Sequence, residues 1–138
     1  MPLGPPNVRL AQPSRPTAPD GKRLAVIDDA GGIVIINADG SGAPRPVPKQ
    51  DLRLRPVAWS SGGELYAYRE AALPAKLYQL DVDSGARRFV RDLMPADAAG
   101  VYRVMDVVIT ADDRAYAYGV WRNLSTLFVS TGWGKRID

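Results

Sequence analysis

Apolar side chains come along this chain in short runs, each cut off by glycine, aspartate, serine or proline. The runs are rich in β-branched and aromatic residues and too short for helices, so they predict strands. In the middle of the chain, 55–59 (RPVAW) reads as a strand and 60–63 (SSGG) as a tight turn, with glycine able to take a positive φ. Residues 64–69 (ELYAYR) read as a second strand, with apolar side chains on both faces, which predicts a sheet covered on both sides. A longer connection follows, and Pro74 argues against a helix there. Residues 76–82 (KLYQLDV) and 86–93 (ARRFVRDL), separated by a turn at 83–85, complete four strands up and down.

The pattern recurs. APDGKRLAV starts at Ala18, SSGGELYAY at Ser60 and TADDRAYAY at Thr110, giving periods of 42 and 50 residues. Aligned without gaps, Leu24, Tyr66 and Tyr116 correspond, as do Ala25, Ala67 and Ala117, then Val26, Tyr68 and Tyr118. Downstream, IVIINADG at 33–40 matches LYQLDVDS at 77–84, and the third copy has LFVSTG at 127–132. A period in the forties belongs to propeller blades, which are four-stranded antiparallel sheets. The predicted fold is therefore all-β: a partial β-propeller of about two and a half four-stranded antiparallel blades. Residues 1–17 form a proline-rich N-terminal segment, 18–50 a partial blade, 51–94 a full blade, and 95–138 a C-terminal blade lacking its outer strand. Six prolines among the first twenty residues leave that stretch fit for an edge at best. The third copy is expected to supply three strands: RVMDVVI, RAYAYGV and STLFVST. Closed propellers need four or more blades, so the chain reads as the C-terminal part of a larger ring, or as one that completes itself by self-association.

Composition removes several chemistries. Histidine and cysteine are both absent, which excludes a Ser-His-Asp triad, His- or thiolate-ligated zinc, an imidazole base, a cysteine nucleophile and disulfides. The net charge of +3 is spread out, with no Lys/Arg run longer than two, so the clustered stripe of a nucleic-acid binder is missing. No signal-peptide pattern opens the sequence, and the longest apolar run, around 31–36, is far short of the ~20 residues that span a bilayer. No direct membrane insertion is expected. Localisation stays open: extracytoplasmic if the chain belongs to a receptor-like kinase, otherwise cytoplasmic.

The phrases PVAWSSGGELYAY and IVIINADGSGAPRPV, with Trp59-Ser60 and Asp39-Gly40, resemble TolB-like (WD-type) propeller repeats, which also occur in prolyl-oligopeptidase-like peptidases. Residues 73–132 resemble the closing blades of propellers fused to bacterial receptor-like serine/threonine kinases. Gly62 stands where that turn usually has Asp, and Asp113 where it usually has Gly. The resemblance implies a sensing or protein-docking surface rather than a catalyst, and no Gly-rich phosphate loop, His-Arg-Asp loop or Asp-Phe-Gly is present.

Each candidate for chemistry has a structural counterpart. Asp20, Asp112 and Asp113 sit at a repeated turn and are read as turn caps. DVDSG at 81–85 begins like a calcium loop but lacks the later ligands and is read as a strand-to-strand turn. Gly31-Gly32, the glycines at 40–42 and Gly62-Gly63 match no phosphate motif and are read as turns. Tyr66, Tyr68, Tyr78, Tyr116 and Tyr118 are read as packing between blades, with Trp121 and Trp133 as the better candidates for exposed aromatics. Asn123-Leu124-Ser125 is a formal glycosylation sequon. The expected function is a non-enzymatic binding or scaffold module, without metal or cofactor, that contacts a protein or small ligand through its loops. Its further partners would be the remaining blades of the ring or a second copy. The alternatives are an accessory segment of a prolyl-oligopeptidase-like peptidase and a truncated fragment without independent function.

Overall fold

A computed structural model of the chain describes residues 8–9, 17–49, 51–110, 112–132 and 134. The described residues form strands and turns only. The strands are β1 (Val8–Arg9), β2 (Arg23–Asp28), β3 (Ile33–Asn37), β4 (Arg45–Pro46), β5 (Leu54–Trp59), β6 (Leu65–Arg69), β7 (Ala75–Leu80), β8 (Arg87–Leu93), β9 (Val101–Ile109) and β10 (Tyr116–Arg122). They make three antiparallel sheets in chain order: β2–β3–β4 with the two-residue β1 along its edge, then β5–β6–β7–β8, then β9–β10. The protein is all-β, and its middle sheet has the four up-and-down strands read from the sequence.

Each sheet packs on the next. Ala25, Ile33 and Ile35 of the first sheet share a core with Leu54, Trp59, Leu65, Ala67 and Leu80 of the second. The opposite face of the second sheet, through Val57, Tyr66, Tyr68, Leu77 and Leu93, meets Val104, Val107 and Ile109 of β9. All of Leu65, Tyr66, Ala67 and Tyr68 are buried, so β6 is covered on both sides as its sequence predicts. Charge pairs reinforce the junctions. Glu70 accepts from Arg55 at 2.9 Å and from Arg103 on β9, while Asp51 sits 3.1 Å from Arg87 and 3.6 Å from Arg69. The Arg23 guanidinium lies 4.9 Å from the Trp59 ring centre, bridging the first two sheets.

Two expectations are corrected. First, the third copy has two strands, not three. Residues 123–132 form no strand, and Leu124, Leu127, Phe128 and Val129 are at least three-quarters exposed. The segment has the composition of a strand but pairs with no strand among the described residues, so composition alone does not make it one.

Second, the gapless alignment breaks inside the turn. Gly21, Gly63 and Asp113 donate equivalent backbone bonds to Ala18, Ser60 and Thr110. The turns then close differently: Ala18 N–H bonds Arg23 O and Thr110 N–H bonds Ala115 O, but Ser60 N–H bonds Glu64 O. The second copy is one residue shorter there. Ladder partners agree: Thr17 faces Leu24, Ile109 faces Tyr116, and Trp59 faces Leu65. The structural counterparts are thus Leu24, Leu65 and Tyr116, followed by Ala25, Tyr66 and Ala117. A slip of one residue reverses which face a side chain takes. Ala25 and Ala67 are both fully buried in the one core between the first two sheets, Ala25 facing the following sheet and Ala67 the preceding one.

Candidate functional site

The repeated turns hold most of the carboxylates singled out from sequence, and there they act on backbone. Asp20 accepts from the Lys22 N–H at 2.9 Å, and Asp112 accepts from the Arg114 N–H at 3.1 Å and the Thr110 hydroxyl at 2.6 Å. The second turn has Gly62 at that position, and the buried Ser60 hydroxyl takes over, accepting from the Glu64 N–H at 3.1 Å. Asp39 accepts from the Ser41 hydroxyl and N–H, and these bonds hold its carboxyl below the usual range. The Ser84 and Asp83 N–H groups do the same for Asp81, so DVDSG is a turn whose first carboxylate is engaged by its own loop. Among the described residues no group of three or more acidic side chains comes together as a metal site.

Asp113 differs. It takes the left-handed conformation, φ 59°, where the other turns have Gly21 at 70° and Gly63 at 87°. A glycine would fit with less strain. Across the sheet junction the Asp113 carboxylate acts on the Tyr66 phenol. Burial, and then the Asp113 charge and hydrogen bond, raise the Tyr66 phenol above its ordinary 10.0. Asp113→Asn keeps a residue that tolerates this conformation but removes the charge. The Tyr66 phenol should then titrate closer to its ordinary value in a spectrophotometric alkaline titration. Superimposable curves for the two proteins would dissociate Asp113 from Tyr66.

The tyrosines divide. Tyr66 and Tyr68 are buried between the second and third sheets. Tyr78 and Tyr118 are partly buried against the first and second cores respectively. Tyr116 lies on the same face as Tyr118, toward the second sheet at its margin: it is 43% exposed, stacked on Tyr118 with 6.3 Å between ring centres, and the Arg91 guanidinium of β8 is 4.5 Å from its own centre. Trp121 is exposed, as its place outside the repeated phrase predicts. Trp133 lies outside the described residues. Asn123 of the sequon is exposed, and its N–H donates to Gly100 O at 2.8 Å.

These placements bring an aromatic surface together on the third sheet. Tyr102 and Trp121 meet edge-on with ring centres 6.1 Å apart, and the Arg103 guanidinium lies 5.5 Å from the Trp121 ring centre. Tyr102, Val108 and Trp121 are each about half exposed, whereas Ala58, the counterpart of Val108 in the second sheet, is buried. Rings flanked by guanidinium groups can stack on planar or apolar groups and bind them without bond-making chemistry. The gapless alignment matches Tyr116 to the buried Tyr66, whereas Tyr116 lies on the face turned toward the second sheet. The one-residue shortening of the second turn is the signal that separates them. Comparison with protein-family models, with curated proteins and with solved structures finds no match to this chain.

Proposed function

We propose that the chain is a non-enzymatic binding or scaffold module built from β-propeller-type blades, serving as the sensor or docking part of a larger bacterial protein such as a receptor-like serine/threonine kinase. Three antiparallel sheets stacked in chain order support the blade reading. The observation that carries the binding reading is the half-exposed pair Tyr102 and Trp121, in ring contact and flanked by Arg103 on the third sheet. Aromatic residues flanked by arginine are the types that dominate binding energy at protein interfaces. The ligand is a protein segment or small molecule with an apolar or planar group. Catalysis is not part of the reading: the chain has no histidine or cysteine, and the turn carboxylates described above are engaged by backbone N–H groups.

Peptides selected against the chain by phage display provide the test. Trp121→Ala and Tyr102→Ala should each weaken their capture roughly tenfold, the loss typical of a binding hot spot, with an unchanged circular dichroism spectrum. Peptides indifferent to both substitutions would remove this surface from the function. Turnover of fluorogenic ester, phosphate or peptide substrates by the pure chain, abolished by a single substitution, would overturn the non-enzymatic reading.

A further inference from the structure

Among the described residues the third sheet has no outer strand, and the residues following it have strand-like composition without a sheet. β10 occupies the place that β6 holds in the second sheet, but β6 carries β7 on its far side and, among the described residues, β10 pairs only with β9. The two chains leave their sheets differently. After β6, Glu70 N–H bonds Arg53 O, then Ala71 adopts φ 62° and the chain reverses into β7. After β10, Asn123 N–H bonds Gly100 O in the same manner, but no residue from 124 to 131 has a positive φ, and none is glycine or proline. The chain does not reverse. It runs on as an arm on which Leu124, Leu127, Phe128 and Val129 are 75–87% exposed.

We propose that the arm, residues 124–131, docks along the outer edge of β10 in a second copy of this chain, while the second copy's arm docks on the first. The arm is long enough for that place, since β7 spans six residues. It also has the chemistry, since β7 buries Leu77 and Leu80 beside β6, and the arm offers Leu127, Phe128 and Val129. Edge N–H and C=O groups supply affinity when a strand adds to a sheet, and alternate side chains supply specificity. A second copy is the occupant because each chain carries one vacant edge and one unseated strand, and mutual exchange about a two-fold axis satisfies both. The inference goes beyond the binding reading above, because it uses the edge of the third sheet rather than its aromatic surface.

The test uses the full chain, which has no cysteine of its own. Sedimentation equilibrium should show a dimer at micromolar concentration, and Leu127→Asp/Phe128→Asp should weaken dimerisation at least a hundredfold. Those side chains are already exposed, so the monomer should keep its circular dichroism spectrum. Chains carrying Tyr118→Cys and chains carrying Phe128→Cys, mixed and treated with a short bis-maleimide, should give a cross-linked heterodimer. The double variant should give no intramolecular cross-link at nanomolar concentration. A monomer at all concentrations, a dimer indifferent to the aspartates, or an intramolecular cross-link would each overturn the exchange. Peptide capture through Trp121 and Tyr102 is measured on the monomeric aspartate variant, so the binding reading stands or falls separately.

Discussion

Gly85→Ala is expected to destabilise the chain by about 3–5 kcal/mol, at the upper end of single-substitution effects. Two costs combine. Gly85 has φ 75°, which an L side chain adopts only at about 1–2 kcal/mol. A Cβ there would also lie 2.7 Å from the Pro48 carbonyl carbon, a backbone atom that can retreat only by moving the segment following β4. Val47 and Val82, on either side of this contact, both belong to the core between the first two sheets. Displacing the turn therefore opens that core as well as straining the glycine. Gly40→Ala is the control, because Gly40 has nearly the same φ, 77°, and nothing within 4 Å of its virtual Cβ. It should lose about 1–2 kcal/mol. Urea unfolding followed by tryptophan fluorescence reads both, and equal losses would mean that the close approach to Pro48 contributes nothing.

Leu65→Ala should cost about 2–5 kcal/mol, the range for a leucine truncated in a core that relaxes only partly. Leu65 is 1% exposed and sits at the centre of the junction between the first and second sheets, with Ala25, Ile35, Trp59 and Leu80 in the same cluster. Leu52, in contrast, is 53% exposed, and Leu52→Ala should change stability by less than about 0.5 kcal/mol. The same urea titration decides the matter. A Leu65→Ala midpoint shift no larger than that of Leu52→Ala would show that the two sheets are not held together by this core.

Strand positions and turn types were legible because they follow from local chemistry. Alternation and β-branching locate β5 to β8, and the repeated Asp-Gly or Gly-Gly marks the left-handed turn residue. Facing was not legible. When both sides of a strand are apolar, as at Leu65, Tyr66, Ala67 and Tyr68, a shift of one residue leaves the pattern intact, and Ala67 aligns with Ala25 although one faces the preceding sheet and the other the following sheet across the same core. The fate of 123–132 was hidden for a related reason: strand propensity describes what a segment would do beside a partner, and among the described residues no strand pairs with it. The aromatic surface was half visible. Trp121 stood outside the repeat, but its ring contact with Tyr102 joins two strands and the effect of Asp113 on the Tyr66 phenol spans two sheets, and neither leaves a trace in local sequence.

The middle sheet belongs to both cores, one on each face, while the third sheet belongs to one. In an array whose units touch only their neighbours, free energy is shared along a line, and a unit with two interfaces opens only when both are lost. Loss of structure should therefore enter from the β9–β10 end and travel inward, with β6 among the last strands to exchange its amide hydrogens. A ligand or a second chain that covers the β9–β10 end would slow this fraying and protect amides it never touches.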